Sequence, residues 1–366
     1  MRKSVFISLL SVLLFSVCSC SDKKSGIQSQ DLVTIDVPLQ ADQSTQLPRI
    51  SELFQVTDVI LSASSIESLV SNIYEIKYSG DTLFILSGDA LLLFKTDGRF
   101  IAKIDKQGRG HGEYVDLIGF EIDQKNNNIL IFDRFGVLRF TMDGKFIDKA
   151  PIKGMPLEFA LLPSGDYVFY SPSDFDGLKG LWITDSKGNY KHHLLTLEEY
   201  DLRIFTGSKK LTQINDSVIG FMGPETPDFF YHITDDTIVP SFYITSRLLN
   251  SKVQMNEVEF ELPAYTKASY CESDELFTFI LIGTADNIGI RVFYNKKTGQ
   301  IMFLHTNNKK AASDPDYKIP SFVNSYKNCM FSFISVGKIL KDENLKAQFP
   351  DITEDSNPVI QIYRPK

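Results

Sequence analysis

The stretch Lys106–Ile147, KQGRGHGEYVDLIGFEIDQKNNNILIFDRFGVLRFTMDGKFI, holds a glycine-rich loop followed by three short apolar runs. Its second half, Asn127–Ile147, aligns without a gap on Asp81–Ile101, at an offset of 46 residues. Each copy carries an Asp-Gly pair between apolar runs, at Asp97-Gly98 and Asp143-Gly144. This pair is a strong hairpin signal, because tight turns need residues that tolerate positive φ. A repeat of roughly 40–50 residues built from short strands is typical of a propeller blade.

The same pattern of short apolar runs and turn residues continues to the end of the chain. We count six sets of strands after about residue 50, at a spacing of roughly 53 residues. The predicted fold is therefore all-β, a six-bladed β-propeller over residues 49–366, with each blade a four-stranded antiparallel sheet. Closure of such a ring needs an N-terminal strand in the last blade, for which Val56–Leu61 is the candidate. Only Lys338–Phe349 has a helical pattern, as an insertion ended by Pro350.

Composition narrows the class of protein. The 366 residues are 43% hydrophobic, enough for a large core, and the net charge is −8 with a pI of about 5.3. An acidic surface repels phosphate backbones, so we expect no nucleic-acid partner. Phe and Tyr number 28 and 15, an enrichment that suits a protein rich in strands.

The N-terminus has the features of an export signal. Arg2 and Lys3 precede the apolar segment Val5–Val17, which is too short to span a bilayer. The following Val17-Cys18-Ser19-Cys20 resembles a lipobox, in which a small residue precedes the acylated cysteine. We therefore expect residues 1–19 to be a lipoprotein signal peptide and Cys20 to carry the lipid, with residues 20–48 a lipidated flexible tether that includes an N-terminal strand. The alternative is an ordinary secretory signal with incidental cysteines.

Two further cysteines, Cys271 and Cys329, fall in different predicted blades. A disulfide between them is possible in an oxidising compartment. Buried free thiols are the favoured interpretation.

The glycine-rich loop Gly108–Tyr114 (GRGHGEY), with the Asp-Gly turn at Asp143, resembles a motif of the six-bladed β-propeller lipoproteins of Bacteroidota, distant relatives of NHL-repeat propellers. The family pattern is roughly G-x-G-P-G-E-Y, and His111 stands where proline is usual. The ending Asn357–Ile360 is also similar to the family's C-terminal strand. The resemblance implies a propeller fold and an outer membrane lipoprotein, facing either the periplasm or the cell surface. It implies no particular activity, because propellers include both binding scaffolds and enzymes.

Four residues of this loop, Arg109, His111, Glu113 and Tyr114, are the candidates for ligand binding, because cationic, titratable, acidic and aromatic groups occur within six positions. The competing and favoured interpretation is a structural connection between blades, in which Glu113 and Tyr114 hold the loop by hydrogen bonds. Its glycines would allow positive φ and a close approach of the backbone.

Other motifs are weaker. Asp123, Lys125 and Asn127 only partly match a calcium loop, and Asp174, Asp176 and Gly177 more simply form a solvated turn. His192 and His193 are adjacent on a predicted strand, so their rings should point to opposite faces. The sequence identifies no catalytic residue, metal site or cofactor.

Two functions remain open. The first is a binding or scaffold module of the cell envelope, anchored to the membrane by its N-terminal lipid, for a glycan, a peptide or a partner protein, either as a monomer or within an envelope complex. The second is a glycan-active lyase or hydrolase with its site at the central channel. Clustered Arg, His, Tyr and Glu side chains at one end of the channel would favour the enzyme.

Overall fold

The computed structural model describes residues 32–38, 48–197, 208–223, 229–245, 252–254, 261–263, 265–283, 289–305, 314–318 and 320–366. The predicted signal peptide, Cys20 and the tether up to residue 31 lie outside the described residues.

The described chain is built almost entirely of strands. In chain order they are β1 (Val33–Asp36), β2 (Phe54–Ile60), β3 (Ile73–Ser79), β4 (Thr82–Ser87), β5 (Ala90–Lys95), β6 (Phe100–Ile104), β7 (Gly119–Asp123), β8 (Asn128–Asp133), β9 (Gly136–Thr141), β10 (Phe146–Pro151), β11 (Glu158–Leu161), β12 (Tyr167–Phe175), β13 (Leu178–Thr184) and β14 (Tyr190–Leu195). They continue as β15 (Leu211–Gln213), β16 (Ile219–Met222), β17 (Phe229–Thr234), β18 (Thr237–Thr245), β19 (Lys252–Gln254), β20 (Glu261–Pro263), β21 (Tyr265–Glu272), β22 (Leu276–Gly283), β23 (Gly289–Asn295), β24 (Ile301–His305), β25 (Asn324–Tyr326), β26 (Cys329–Ile334) and β27 (Val359–Pro365).

Among the described residues, short α-helices interrupt the strands at two places, and 3₁₀ helices occur at Ile66–Ser68 and Pro315–Tyr317. Helix α1 (Ile50–Leu53) precedes β2, within a segment whose apolar pattern favours a strand. Helices α2 (Val336–Lys341) and α3 (Glu343–Gln348) confirm the helical insertion predicted between β26 and β27. The Asp342 side chain accepts hydrogen bonds from the backbone N–H groups of Asn344 and Leu345 and so caps α3.

The internal repeat forms two adjacent sheets of the same design. Strands β3 to β6 make one four-stranded antiparallel sheet and β7 to β10 make the next. Ile85 lies opposite Leu92 in the first sheet, and Ile131 lies opposite Leu138 at the repeat-equivalent place in the second. The predicted equivalence of the two segments is confirmed.

In the part of the chain that the structure describes, four separate four-stranded sheets are present where six blades were predicted. They are β3–β6, β7–β10, β11–β14 and β21–β24, each a meander of hairpins. The remaining long sheet has nine strands, in the order β1-β18-β17-β16-β15-β25-β26-β27-β2, and β19 and β20 form a two-stranded ribbon. The fold is an all-β propeller. Its described strands form four separate four-stranded blades, not the six that were predicted.

The cause of the long sheet is a short parallel contact between β15 and β25. Gln213 pairs with Tyr326, and its carbonyl oxygen accepts from Lys327 N at 2.7 Å. The carbonyl of Ile214 accepts from Asn328 N at 3.0 Å. Hydrogen bonds between two three-residue strands thus merge sheets that the sequence pattern treats as separate.

The N-terminal segment completes the long sheet at both edges. Strand β2 pairs antiparallel with β27 from Phe54↔Pro365 to Ile60↔Val359, which confirms the predicted closure by an N-terminal strand. Strand β1 adds to the other edge, parallel to β18, with Ile35 beside Ile244.

Apolar clusters lie between successive sets of strands all around the ring. One cluster packs β7–β10 against β11–β14, and others pack β11–β14 against β15–β18 and β15–β18 against β21–β24. Two more pack β21–β24 against the β25–β27 region, and that region against β3–β6 and β7–β10. Cys271 and Cys329 are buried in these clusters as free thiols, which confirms the favoured interpretation.

Candidate functional site

A cavity of about 280 Å³ opens at the end of the ring where the first strands of the sheets begin. We call it the upper cavity. Its walls are apolar at Ile118, Phe120, Leu157 and Phe159. The charged and amide side chains that line it are Glu75, Lys77, Glu121, Glu158, Lys209, Gln213 and Asn324.

Lys77 lies at the centre of this charged group. Its side chain is about 5% exposed, and its Nζ lies 2.9 Å from Glu121 Oε2 and 3.2 Å from Glu75 Oε1. It also donates to the backbone carbonyl of Phe120. Burial disfavours the charged ammonium, but Glu121 and Glu75 overcome this effect and raise the pKa of Lys77, so it stays protonated.

Lys209 supplies a second cation from a more accessible position. Its Nζ lies 2.5 Å from Glu75 Oε2, and its side chain is 32% exposed whereas that of Glu75 is 4% exposed. Burial acts to raise the pKa of Glu75, but Lys209 and Lys77 together hold that pKa below its ordinary value. Glu75 is therefore a buried carboxylate bridging two lysines.

Glu158 and Asn324 use their side chains to join first strands. Glu158 Oε2 accepts from the backbone N–H groups of Lys210 and Leu211, both at 2.9 Å, which ties β11 to β15. Asn324 accepts from Ile76 N at 2.9 Å and donates to Ile76 O at 2.8 Å, which ties β25 to β3. Burial raises the pKa of Glu158 and of Glu121.

A second cavity, of about 430 Å³, opens at the opposite end of the ring, where the first strands finish. We call it the lower cavity. Glu121 and Gln213 line both cavities. The other polar residues belong to the turns that follow the first strands and to nearby strands: Asp123, Gln124, Lys125, Asn126, Arg139, Ser164, Asp166, Tyr167, Ser186, Asp216, Tyr326 and Lys327.

The predicted loop Gly108–Tyr114 connects β6 to β7, and its two ends are held by hydrogen bonds. Tyr114 is fully buried; its hydroxyl lies 2.8 Å from Asp89 O and 3.1 Å from Ile104 O, and accepts from Lys106 N at 3.1 Å. Glu113 Oε2 accepts from Gly110 N at 2.7 Å. These contacts are those expected of an architectural connection.

Arg109 and His111 are exposed, and the His111 ring meets Phe146 edge to face at 4.9 Å between centroids. Together with Glu113 they line a shallow cleft against β10, and none of the four predicted loop residues lines the upper or the lower cavity. The expectation of positive φ holds at Gly112, with φ of +77°, whereas Gly110 has no such conformation.

The weaker motifs form turns. Asp123 accepts from Asn126 N at 3.0 Å, and Asp174 accepts from Gly177 N at 2.9 Å. His193 Nδ1 contacts Tyr190 Oη at 2.8 Å. Within the described ranges, no three His, Cys, Asp or Glu side chains are grouped so as to hold a metal ion.

The sequence contains a signal for the upper cavity that belongs to no recognised motif. Glu75 and Glu121 are separated by the same 46 residues as the internal repeat. Both are charged residues flanked by apolar ones in first strands, IYEIKYS and GFEID. Charge at this position of a buried strand requires a partner, and a search for such positions would have identified the cluster.

The family model "Domain of unknown function (DUF4934)" matches residues 32–364. The chain belongs to this family. The comparison with curated proteins gave no match.

One solved structure with a TM-score above 0.5 shows the same fold, and two others are less similar. A Bacteroides fragilis NCTC 9343 protein, provisionally named as exported, is 15% identical with a TM-score of 0.69, over 92% of this chain and 99% of that one. A member of the DUF4221 family from Bacteroides vulgatus ATCC 8482 is 12% identical with a TM-score of 0.49, over 89% and 99%. A gluconolactonase from Xanthomonas campestris is 10% identical with a TM-score of 0.46, over 88% and 96%. The last two are too distant to bear on function.

None of the described helices has the length and apolar character of a membrane span.

Proposed function

We propose that the protein is a binding module of the cell envelope and that its ligand enters the upper cavity. The observation that carries this proposal is the charged group formed by Glu75, Lys77, Glu121 and Lys209 inside a walled cavity at the ring's centre. Its ion pairs are formed among the protein's own side chains, which hold the polar groups in fixed positions. Preorganisation of this kind lowers the entropic cost of binding.

Lys209 is the group best placed to meet a ligand. Glu121 is held by Lys77, and Glu158 is occupied by backbone N–H groups, whereas Lys209 is one-third exposed at the cavity rim. A ligand carboxylate, hydroxyl or carbonyl oxygen can accept from its ammonium while Glu75 keeps its contact with Lys77.

Apolar side chains near this opening favour a large ligand. Tyr74 precedes Glu75 and is 55% exposed, Leu157 precedes Glu158 and is 41% exposed, and Phe135, in the turn at the same end of β8, is 56% exposed. Exposed apolar groups around a polar centre are typical of interaction surfaces. A glycan, a peptide or a partner protein would contact them on entering.

A glycan-active lyase or hydrolase is the second candidate. It is favoured by burial of Glu121 and Glu158, which raises the pKa of both carboxyl groups, the direction of shift that a general acid requires. Binding is preferred because both carboxyl groups are already engaged, one by Lys77 and the other by backbone N–H groups.

Membrane anchoring through Cys20 is part of the proposal. It is supported by the lipobox-like Val17-Cys18-Ser19-Cys20 after a short apolar segment, and by the exported name of the B. fragilis protein. The proposed location is the outer membrane. Mass spectrometry of the membrane fraction tests it, and a mature chain with an unmodified Cys20 would refute it.

The nine-stranded sheet is proposed to be two further blades, which gives six in total. Separate apolar clusters pack on its β15–β18 part and on its β25–β27 part, as they do between the four separate sheets. Only the short contact between β15 and β25 joins the two parts. An experimental structure with these strands in one continuous packed layer would contradict this count.

The functional proposal is tested with Lys209→Met. Binding of the mature protein to an arrayed glycan panel and a dodecapeptide panel is measured first, and the affinity for each captured ligand is then measured by calorimetry. We expect at least a tenfold loss of affinity in Lys209→Met. The matched control is Lys103→Met, because Lys103 is 30% exposed and pairs with Asp105 at 2.7 Å, outside both cavities.

Equal affinity of Lys209→Met and Lys103→Met for a captured ligand would show that the ligand does not bind in the upper cavity. Chromatography shows whether a captured glycan is converted to products. Product formation would support the enzymatic function instead of the binding function.

A further inference from the structure

We propose that the lower cavity is a separate binding site for a neutral, hydroxyl-rich ligand of the size of a monosaccharide or disaccharide. Its volume of about 430 Å³ is within the range of small-molecule sites. It lies at the opposite end of the ring from the upper cavity, so the inference does not depend on what the upper cavity binds.

Two phenol groups point to a ligand. Tyr167 and Tyr326 line the cavity and are each 1% exposed. Neither hydroxyl makes a hydrogen bond to another described residue, and neither oxygen is fully enclosed by the protein, so both are accessible from the cavity. A bound molecule would supply the missing partners.

Charged residues that interact with the two phenols line the same cavity. Tyr167 interacts with Arg139 and Asp123, and Tyr326 interacts with Glu121 and Asp216. All four neighbours line the same cavity. Burial raises the pKa of Tyr167 to about 12, so at neutral pH its hydroxyl is both a donor and an acceptor.

Apart from the exposed Lys125, the charged side chains that line this cavity already have partners. Arg139 contacts Asp148 through two bonds of 2.5 and 2.7 Å, and Lys327 lies 2.7 Å from Asp216. Asp123 Oδ2 accepts from Asn126 Nδ2 at 2.7 Å. A charged ligand would have to break one of these pairs, whereas a neutral ligand leaves them intact.

Polyols match the groups that remain. Each sugar hydroxyl donates one hydrogen bond and accepts others, as each phenol does. Asp123, held by Asn126, provides fixed acceptors, and Arg139, held and charge-balanced by Asp148, provides fixed donors. These features favour a neutral sugar over an acidic or amino sugar.

Calorimetry and ligand-observed NMR with the mature full-length protein test the site. The probes are glucose, maltose and cellobiose, with glucuronate and glucosamine as the matched charged forms of glucose. We expect a neutral sugar to bind more tightly than both charged forms.

The variants Tyr167→Phe and Tyr326→Phe remove one hydroxyl each and should weaken binding of that sugar by about threefold to tenfold. Tyr190→Phe, outside both cavities, should leave it unchanged. Lys209→Met should also leave it unchanged, which separates this site from the upper cavity.

Thermal melts of the Tyr→Phe variants show whether the fold is kept, and saturation-transfer NMR of the sugar on the wild-type protein needs no variant at all. Absence of binding by all three neutral sugars at millimolar concentration overturns the proposal. Stronger binding of a charged form overturns it as well, as does wild-type affinity in the folded double Phe variant.

Discussion

The sheets β3–β6 and β7–β10 are two copies of one design, and their differences are instructive. Both keep the same strand register. In both, a buried phenylalanine meets a second one edge to face across the outer hairpin, Phe94 with Phe100 at 5.4 Å and Phe140 with Phe146 at 5.7 Å. Apolar packing and turn chemistry are thus the features that the repeat retains.

The copies diverge at polar positions near openings of the second sheet. The cross-strand pair Leu93–Ala102 of the first sheet is replaced by Arg139–Asp148 in the second, where Arg139 lines the lower cavity. Ser87, which accepts from the backbone N–H of Ser71 at 2.8 Å, is replaced by Asp133. The second copy therefore keeps the framework and differs where side chains reach cavities and clefts.

The largest expected effect concerns the two Asp-Gly turns. A Cβ at Gly98 would lie 1.9 Å from the backbone oxygen of Ile60, whereas at Gly144 the nearest atom would be Ile104 Cγ1 at 3.2 Å. Both glycines have positive φ. We expect Gly98→Ala to lower the free energy of unfolding by about 3 kcal/mol and Gly144→Ala by about 1 kcal/mol, because only the first also displaces the closing strand β2.

Urea unfolding of the two variants measures this difference. Equal losses would show that the contact with Ile60 does not distinguish the two turns.

The next effect concerns the hydrogen bond that fixes the turn between the second and third strands of each sheet. In the first sheet the Tyr114 hydroxyl contacts Asp89 O, whereas in the second the backbone Ile152 N donates to Phe135 O at 3.2 Å. Tyr114→Phe should cost about 1–2 kcal/mol, because buried partners are left unsatisfied.

This cost should depend on pH. Burial raises the pKa of Tyr114 from 10.0 to about 12, so the neutral phenol stabilises the fold fully below pH 10 and this contribution is lost as the pH rises toward 12. The gap in unfolding free energy between wild type and Tyr114→Phe should therefore narrow between pH 10 and 12. A difference in unfolding free energy that widens in alkali would contradict this prediction.

A smaller effect is expected in the loop that joins the two copies. Gly112 has φ of +77°, and a Cβ there would lie 2.8 Å from Phe146 Cγ, so Gly112→Ala should cost about 1 kcal/mol. Gly110→Ala should cost only a few tenths of a kcal/mol, because a Cβ there meets the movable Glu113 carboxylate at 3.0 Å. His111→Ala, with an exposed ring, is the control for loss of a loop side chain.

Thermal melts rank the three loop variants. If Gly110→Ala is the most damaging, the positive-φ account of this loop is wrong.

The smallest effect concerns the exchanged cross-strand pair. Arg139→Leu and Asp148→Ala together convert the pair of the second sheet into that of the first. Because both side chains are partly exposed, we expect a coupling energy of about 0.5–1 kcal/mol, with the double variant close to wild type. A double-mutant cycle in urea measures the coupling, and a value of zero would show that the pair serves only the lower cavity.

Much of this fold could be predicted from the sequence because hairpins are local. The Asp-Gly pairs and the 46-residue repeat placed β3–β10 in two equivalent sheets, and the strand that closes the ring was identified near Val56. The contact between β15 and β25 could not be predicted, because it joins residues 213 and 326 through backbone hydrogen bonds that no side-chain pattern records.

The candidate sites were harder to predict for a related reason. Each cavity gathers single residues from separate first strands, and their proximity depends on the ring rather than on spacing along the chain. The glycine-rich loop was conspicuous as a motif, but Tyr114 and Glu113 serve its own hydrogen bonds.

The pairing of β2 with β27 has a consequence for how the molecule is made. Val56 lies opposite Tyr363, and the backbone N–H of Lys366 donates to Leu53 O at 3.0 Å, so a strand near residue 56 is joined to one near residue 363. Contacts between such distant parts of a chain form slowly, so β2 gains its sheet partner only when β27 is in place. Closure of the ring is thus a late event in folding, and the interval before it is when this protein is most exposed to aggregation and proteolysis.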